Sequence, residues 1–139
     1  MVAITRGRLQ PWADRTSIMV STGRVELDYG DASFDRFIST YVVDLLSDEE
    51  ALMLIEEAYR VLRPDGLLCL VSITPGVTWL SGFVMRTWQL INKLHPMLTG
   101  GCRPVRLPRF IPDEKWDTEH HQVLTRYGVA IEVVIARRR

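Results

Sequence analysis

Hydrophobic and polar positions in the middle of the chain predict a strand, a helix and a second strand in succession. Segment 34–42 is rich in aromatic and β-branched residues, which favours a strand. A capping box follows at 47–50, and apolar residues then recur on one helical face, at Ala51, Leu54, Ile55, Ala58 and Leu62. Segment 67–73 is apolar at nearly every position, as in a parallel strand covered on both faces. The pattern therefore predicts a right-handed βαβ unit.

Weaker patterns flank this unit. Residues 1–12 predict a short helix that Pro11 ends, and residues 16–20 predict a short strand before a turn. After the βαβ unit, residues 78–94 predict an amphipathic helix that packs on the sheet, covers an apolar substrate as a lid or faces a membrane surface. One helical turn near 107–111 precedes two β-rich runs, 116–126 and 129–136, which predict an antiparallel hairpin.

Composition indicates one globular domain spanning 1–139. The 139 residues are 47% hydrophobic, and their 17 basic and 17 acidic side chains cancel, so no overall charge favours nucleic acid or an anionic membrane. No apolar run reaches the length of a membrane-spanning helix or a signal peptide, and the two cysteines lack a metal or dithiol spacing. We therefore expect a cytoplasmic protein with no integral membrane segment.

Candidate ligand-binding residues follow the predicted strands, because doubly wound sheets bind ligands at the carboxyl ends of their strands. They are Ser21, Thr22 and Gly23, then Ser39, Thr40, Tyr41 and Asp44, and finally Thr74, Pro75 and Gly76. Such polar residues could equally do no more than end a strand. His120 and His121 are adjacent on a predicted strand and face opposite ways, so we expect no metal site.

Segment 31–74 resembles the class I methyltransferases of type 11, a group that includes ubiquinone-biosynthesis enzymes. Three features carry the resemblance: the SFDRFIST run that opens a strand, the EEAYRVLRPDG run that closes the next helix, and the apolar strand after it. The segments before and after are similar to the third strand and to the last two strands of that family. The resemblance thus implies a Rossmann-like, doubly wound, mostly parallel α/β sheet with a carboxy-terminal antiparallel hairpin.

The resemblance implies S-adenosylmethionine as cofactor and a small molecule as methyl acceptor. Ser39, Thr40 and Tyr41 match the residues that border the methionine part of the cofactor, while Thr22 and Gly23 match the adenine side. The family's first two strands and its glycine-rich turn have no counterpart in the 139 residues, so the fold is expected to be amino-terminally truncated. We expect weak cofactor binding by the chain alone, and self-association through an exposed sheet edge.

No catalytic residue is assigned, because methyl transfer depends mainly on alignment of donor and acceptor. If the acceptor needs a general base, the candidates are Asp44, His95 and His120, and Arg103 could pair with an acidic substrate group. A competing hypothesis is a non-catalytic binding or assembly subunit. A dinucleotide reductase is disfavoured because no GxGxxG run occurs.

Overall fold

The computed structural model describes residues 2–20, 23, 25–75, 103–126 and 129–139. The described elements in chain order are helix α1 (Val2–Leu9), strand β1 (Phe34–Thr40), helix α2 (Asp48–Val61), and strands β2 (Leu62–Ile73), β3 (Trp116–Arg126) and β4 (Val129–Arg138). Within the described ranges, short 3₁₀ turns lie at Gln10–Trp12, Val43–Leu45 and Leu107–Phe110. The helix predicted for residues 78–94 and the candidates Ser21, Thr22, Gly76 and His95 lie outside the described residues.

The four strands form one sheet in the order β1-β2-β4-β3. Strands β1 and β2 are parallel and joined by α2, while β4 pairs antiparallel with both β2 and β3. The predicted βαβ unit and the carboxy-terminal hairpin are therefore both confirmed. The capping box is also present: the amide of Glu50 donates to the Ser47 hydroxyl, and the amide of Ser47 donates to the Glu50 carboxylate.

The core lies between α2 and one face of the sheet, called here the closed face. Side chains from α2, including Ala51, Ile55 and Ala58, cluster there with Leu68 and Leu70 of β2 and with Val134 and Ala136 of β4. On the opposite, open face, the aliphatic side chains of β2 and β4 are only half-buried. Cys69 lies half-buried on that open face as a free thiol.

Strand β2 begins earlier than predicted, directly after the helix. Leu62 pairs with Phe34, and the ladder resumes only at Leu67 opposite Arg36, so residues 63–66 bulge out of the sheet. Within the bulge Asp65 has a φ of 63°, and a Cβ added to Gly66 would lie 2.8 Å from the carbonyl oxygen of Arg63. A larger residue at position 66 would clash with the backbone of Arg63, so the bulge requires glycine there. Gly66 lies inside β2 and is not the residue that ends α2.

The strand predicted for residues 16–20 is wrong. That segment is neither helix nor strand, and Met19 and Val20 are 57% and 66% exposed. Its β-branched composition suits a strand, but a strand also needs a neighbour with which to share hydrogen bonds, and no ladder of the sheet reaches it in the part of the chain that the structure describes. Helix α1 precedes it and buries no side chain.

A network around Arg60 attaches the loop before β1 to α2. The guanidinium group binds Glu57 and Asp31 and also donates to the carbonyl oxygens of Leu27 and Tyr29. The side-chain hydrogen bond from Arg60 is the largest of the effects that hold the pKa of Glu57 below its ordinary value. The Glu57 side chain is only 11% exposed, although it lies on the face of α2 opposite to the apolar positions in the sequence pattern. The network positions the chain where it enters β1.

No helix among the described residues is long and apolar enough to cross a membrane.

Candidate functional site

The site lies where the parallel strands β1 and β2 end. Ser39 pairs with Leu70 and Thr40 pairs with Val71, so the two strands finish side by side. The amide of Tyr41 then donates to the carbonyl oxygen of Val71 over 2.8 Å, and Tyr41 itself has a φ of 54°. A left-handed conformation at a residue with a large side chain is uncommon and turns the chain sharply off the sheet.

The three residues predicted to border the cofactor separate at this turn. Ser39 faces the closed side, is 6% exposed, and its hydroxyl has no partner among the described residues. Thr40 is exposed and shares the open face with Val71, because neighbours along a strand point to opposite faces. Tyr41 is 44% exposed at the tip. Only Ser39 therefore presents a buried polar group to the closed face.

Asp44 lies three residues further on, inside the 3₁₀ turn Val43–Leu45, and is 0% exposed. Neither of its carboxylate oxygens has a hydrogen-bond partner within the described part of the chain. Its backbone carbonyl accepts the amide of Arg103 over 2.8 Å. A buried carboxylate without a donor is costly, so Asp44 is the most unusual polar group of the site.

Two further buried polar residues are Ser72, near the end of β2, and Thr74, directly after that strand. Ser72 is 0% exposed and its hydroxyl lacks a partner among the described residues, while Thr74 is 3% exposed. Ser72 follows Leu70 by two positions and therefore shares the face of Ser39. Of these two, the sequence pattern indicated only Thr74, because Ser72 stands within an apolar strand.

Two of the three guanidinium nitrogens of Arg103 are engaged within the protein, while its Nη2 is buried and has no partner among the described residues. Its Nε donates to the carbonyl oxygen of Leu46 over 2.7 Å, and its Nη1 lies 2.7 Å from a carboxylate oxygen of Asp48. The hydrogen bond from Arg103 is the largest cause of the lowered pKa of Asp48, and Arg109 also contacts that carboxylate. Arg103 thus ties the segment that returns to the sheet to the start of α2.

A second buried carboxylate, Glu132, was missed by the sequence analysis. It is 4% exposed on β4, opposite Ser72. One of its oxygens accepts the amide of Leu107 over 2.7 Å, and the other lies 2.8 Å from Nε2 of His121. The alternation of Ala130, Glu132, Val134 and Ala136 along β4 could have indicated an inward acidic residue, but its partners are distant in sequence.

His120 lies away from the site. It pairs with Ile135, which pairs in turn with Cys69 of the open face, whereas His121 pairs with Val134 of the closed face. The two histidines thus face opposite ways, as predicted. Among the described residues there is no group of three side chains that could hold a metal ion.

Gly23, predicted on the adenine side, has a φ of 85° and lines a different cleft. That cleft has a volume of about 1040 Å³ and lies along α2, where Met53 and Arg60 contribute to its wall. Ser39, Thr40 and Tyr41 do not line it. The structure therefore does not bring Gly23 together with the site at the strand ends.

The fold and the site define a class of protein: an α/β protein with a Rossmann-like sheet that places polar residues at the carboxyl ends of its parallel strands. A family model described as "Methyltransferase domain" matches residues 1–70, half of the chain. The chain belongs to this methyltransferase domain family.

Two curated relatives agree with this assignment. The chloroplastic 2-methyl-6-phytyl-1,4-hydroquinone methyltransferase 2 of Oryza sativa subsp. japonica is 32% identical over 95 residues, which cover 66% of this chain and 26% of the relative. The rice 2-methyl-6-phytyl-1,4-hydroquinone methyltransferase 1 is also 32% identical over 95 residues, which cover 66% of this chain and 28% of that relative. The chain thus spans about a quarter of these relatives.

Two solved structures show the same fold. A SAM-dependent methyltransferase of Methanosarcina mazei aligns with a TM-score of 0.62 and 17% identity, covering 94% of this chain and 76% of that one. The cyclase SpnF aligns with a TM-score of 0.69 and 14% identity, covering 99% of this chain and 62% of that one. These likenesses show the fold alone.

Proposed function

We propose that the protein takes part in methyl transfer from S-adenosylmethionine to a small-molecule acceptor, and that residues 39–44 form part of the cofactor site. The observation that carries the proposal is the pair of buried polar side chains without described partners, Ser39 and Asp44, at the carboxyl end of β1. They lie inside the segment that matches the family model. In native structures most buried polar groups have a hydrogen-bond partner. Buried polar groups without a partner at the carboxyl end of a parallel strand are therefore candidates for binding a ligand.

The residues present fit the amino-acid part of the cofactor. Ser39 offers a hydroxyl that can donate or accept, and the carboxylate of Asp44 can accept. When bound, the cofactor supplies a methyl group on a positively charged sulfur, which a nucleophile takes while the sulfur leaves as a thioether. The contribution of this chain is to bind, to orient and to exclude water at the turn of Tyr41.

We assign no general base. His120 faces the open side of the sheet, and no described hydrogen bond links the buried carboxylate of Asp44 to a group that could pass a proton on. The rice relatives are named for a hydroquinone, so a small aromatic acceptor is the working proposal for this chain.

A cytoplasmic location remains a prediction, supported by the free thiol of Cys69.

The experiment that tests the proposal is amide chemical-shift mapping with S-adenosylhomocysteine, the demethylated product. We expect shifts concentrated at residues 39–44 and at Ser72. Amides in the cleft around Gly23 and Met53 serve as the internal control, because that cleft is separate from residues 39–41. Shifts confined to the control cleft, or spread evenly over the protein, would remove the site from residues 39–44.

A second candidate function, a binding or assembly subunit, is favoured by the open sheet. No strand pairs with the outer edge of β1 in the part of the chain that the structure describes, and Ile38 is 70% exposed there. We propose that copies of the chain associate through this edge. Light scattering should show association that rises with concentration and is weakened by Ile38→Lys, but not by Leu52→Lys on the exposed side of α2. A wild-type monomer at all concentrations would contradict the proposal.

A further inference from the structure

The cleft along α2 lies between the outer side of that helix and the loop that precedes β1. Its lining residues on α2 extend from Glu50 to Arg60, which corresponds to about 15 Å along the helix axis. Because Arg60 binds both Glu57 of its own helix and Asp31 of the loop, the two walls are held together. A volume of about 1040 Å³ is at the upper end of the range for small-molecule pockets, so the cleft suits a segment of about three helical turns.

Apolar side chains line the cleft on the helix side. Leu52 and Met53 are 48% and 52% exposed there, and Val25 and Tyr59 are half-buried beside them. Neighbouring apolar groups in a cleft lose contact with water only when another molecule covers them. The flexible side chain of Met53 also adapts to the shape of such a molecule. The cleft therefore offers apolar contacts that the described part of the chain does not use.

Negative charge surrounds these apolar groups. Of the described residues that line the cleft, five are acidic and two are basic: Glu26, Asp31, Glu50, Glu56 and Glu57, against Arg60 and Arg138. Both guanidinium groups are engaged inside the protein. That of Arg60 binds the two carboxylates named above, and that of Arg138 donates to the carbonyl oxygen of Leu62 and lies over the ring of Tyr59. Glu26 is exposed, and no cation among the described residues pairs with it. The cleft consequently favours a positively charged occupant.

We propose that the cleft binds a basic amphipathic helix of a partner protein. Apolar side chains of that helix contact Leu52 and Met53, and its lysine or arginine side chains lie beside Glu26 and the other carboxylates. Binding of a helix in a groove combines apolar anchors with complementary charge in this way. The inference goes beyond the proposed function and does not depend on it, because residues 39–41 do not line the cleft.

The first test uses a fluorescein-labelled peptide of leucine and lysine, with leucine at helical spacing, and measures its binding to the full chain by fluorescence anisotropy. We expect saturable binding of one peptide per chain, which weakens as the salt concentration rises. Two peptides of the same length are controls: in one serine replaces leucine, and in the other glutamate replaces lysine. Neither control should bind. Equal binding of the serine peptide would show that charge alone is recognised, which overturns the proposal.

The second test locates the binding with variants. Glu26→Lys and Met53→Lys should each weaken binding of the leucine–lysine peptide roughly tenfold, because each places a positive charge where the peptide's own cations lie. Glu114→Lys is the matched control: Glu114 is an exposed carboxylate outside the cleft, so its reversal should change the affinity by less than about twofold. All three positions are exposed, so the variants should keep the fold, which circular dichroism checks. Unchanged affinity for both cleft variants would overturn the proposal.

A second copy of the chain is the competing occupant of the cleft, and light scattering distinguishes the two. If Met53→Lys, and not Ile38→Lys, abolishes association of the chain with itself, the cleft binds a second copy and the partner proposal is wrong. Self-association that Met53→Lys leaves unchanged, together with peptide binding that the same variant weakens, supports the proposal.

Discussion

Replacing Ala58 by Asp should lower the free energy of unfolding by about 3 to 5 kcal/mol, among the largest effects of a single substitution. Ala58 is 0% exposed and belongs to the cluster in which Ile55 and Leu70 are also buried. A carboxylate at this position would be surrounded by aliphatic groups that offer no hydrogen-bond donor. Equilibrium unfolding in urea, followed by circular dichroism, measures the effect.

Met53→Asp is the matched control on the same helix. Met53 is 52% exposed on the outer side of α2, so the same new charge should change the free energy of unfolding by only about 0.5 kcal/mol. Equal losses for both variants would show that the charge acts through helix propensity. An unchanged stability for Ala58→Asp would mean that the face of α2 turned toward the sheet has been misassigned.

The βαβ unit could be predicted because its signals are local. The capping box of Ser47 and Glu50 lies within four residues, and the apolar spacing of Ala51, Ile55 and Ala58 repeats within one helix. Both patterns depend only on helix geometry, which is the same in every protein. In the structure α2 accordingly runs from Asp48 to Val61, between the predicted cap residue Ser47 and Leu62, the last apolar position of the pattern.

Elements that depend on distant partners were predicted less well. Residues 16–20 have the composition of a strand, yet no described strand pairs with them. Strand β2 starts at Leu62 because Leu62 meets Phe34 across the sheet, a pairing that no local pattern reveals. Composition reports how a residue would suit a strand, whereas a strand forms only where a neighbour completes its hydrogen bonds.

In the candidate site, too, features signalled by local sequence were predicted, and features that depend on distant residues were not. The rule that ligands bind at the carboxyl ends of parallel strands pointed to the end of β1, and it yielded Ser39 and Asp44, whose buried polar atoms have no described partner. It did not yield Ser72, which stands among apolar neighbours, or the contact of Glu132 with His121, which joins residues on two strands. It also grouped Thr40 with Ser39, although the strand places their side chains on opposite faces.

The isolated 139-residue chain should bind S-adenosylmethionine with a dissociation constant no better than about 1 mM and show no detectable methyl transfer. The proposed site at residues 39–44 would contribute the hydroxyl of Ser39 and the carboxylate of Asp44. The chain contains no GxGxxG run, so it lacks the glycine-rich turn at which a backbone approaches such a ligand. Gly23, matched to the adenine side, lines a separate cleft.

Each charge-assisted hydrogen bond that is not formed costs about 1.5 to 3 kcal/mol, so two or three such losses weaken binding by roughly a hundredfold to many thousandfold. Titration calorimetry with S-adenosylmethionine measures the dissociation constant. Asp44→Asn is the matched variant: it removes one of the few contacts to the cofactor, so we expect no detectable heat of binding for it. A micromolar constant for the wild type would contradict the prediction. It would require that another part of this chain, or a second copy associated through the edge of β1, completes the pocket around Ser39 and Asp44.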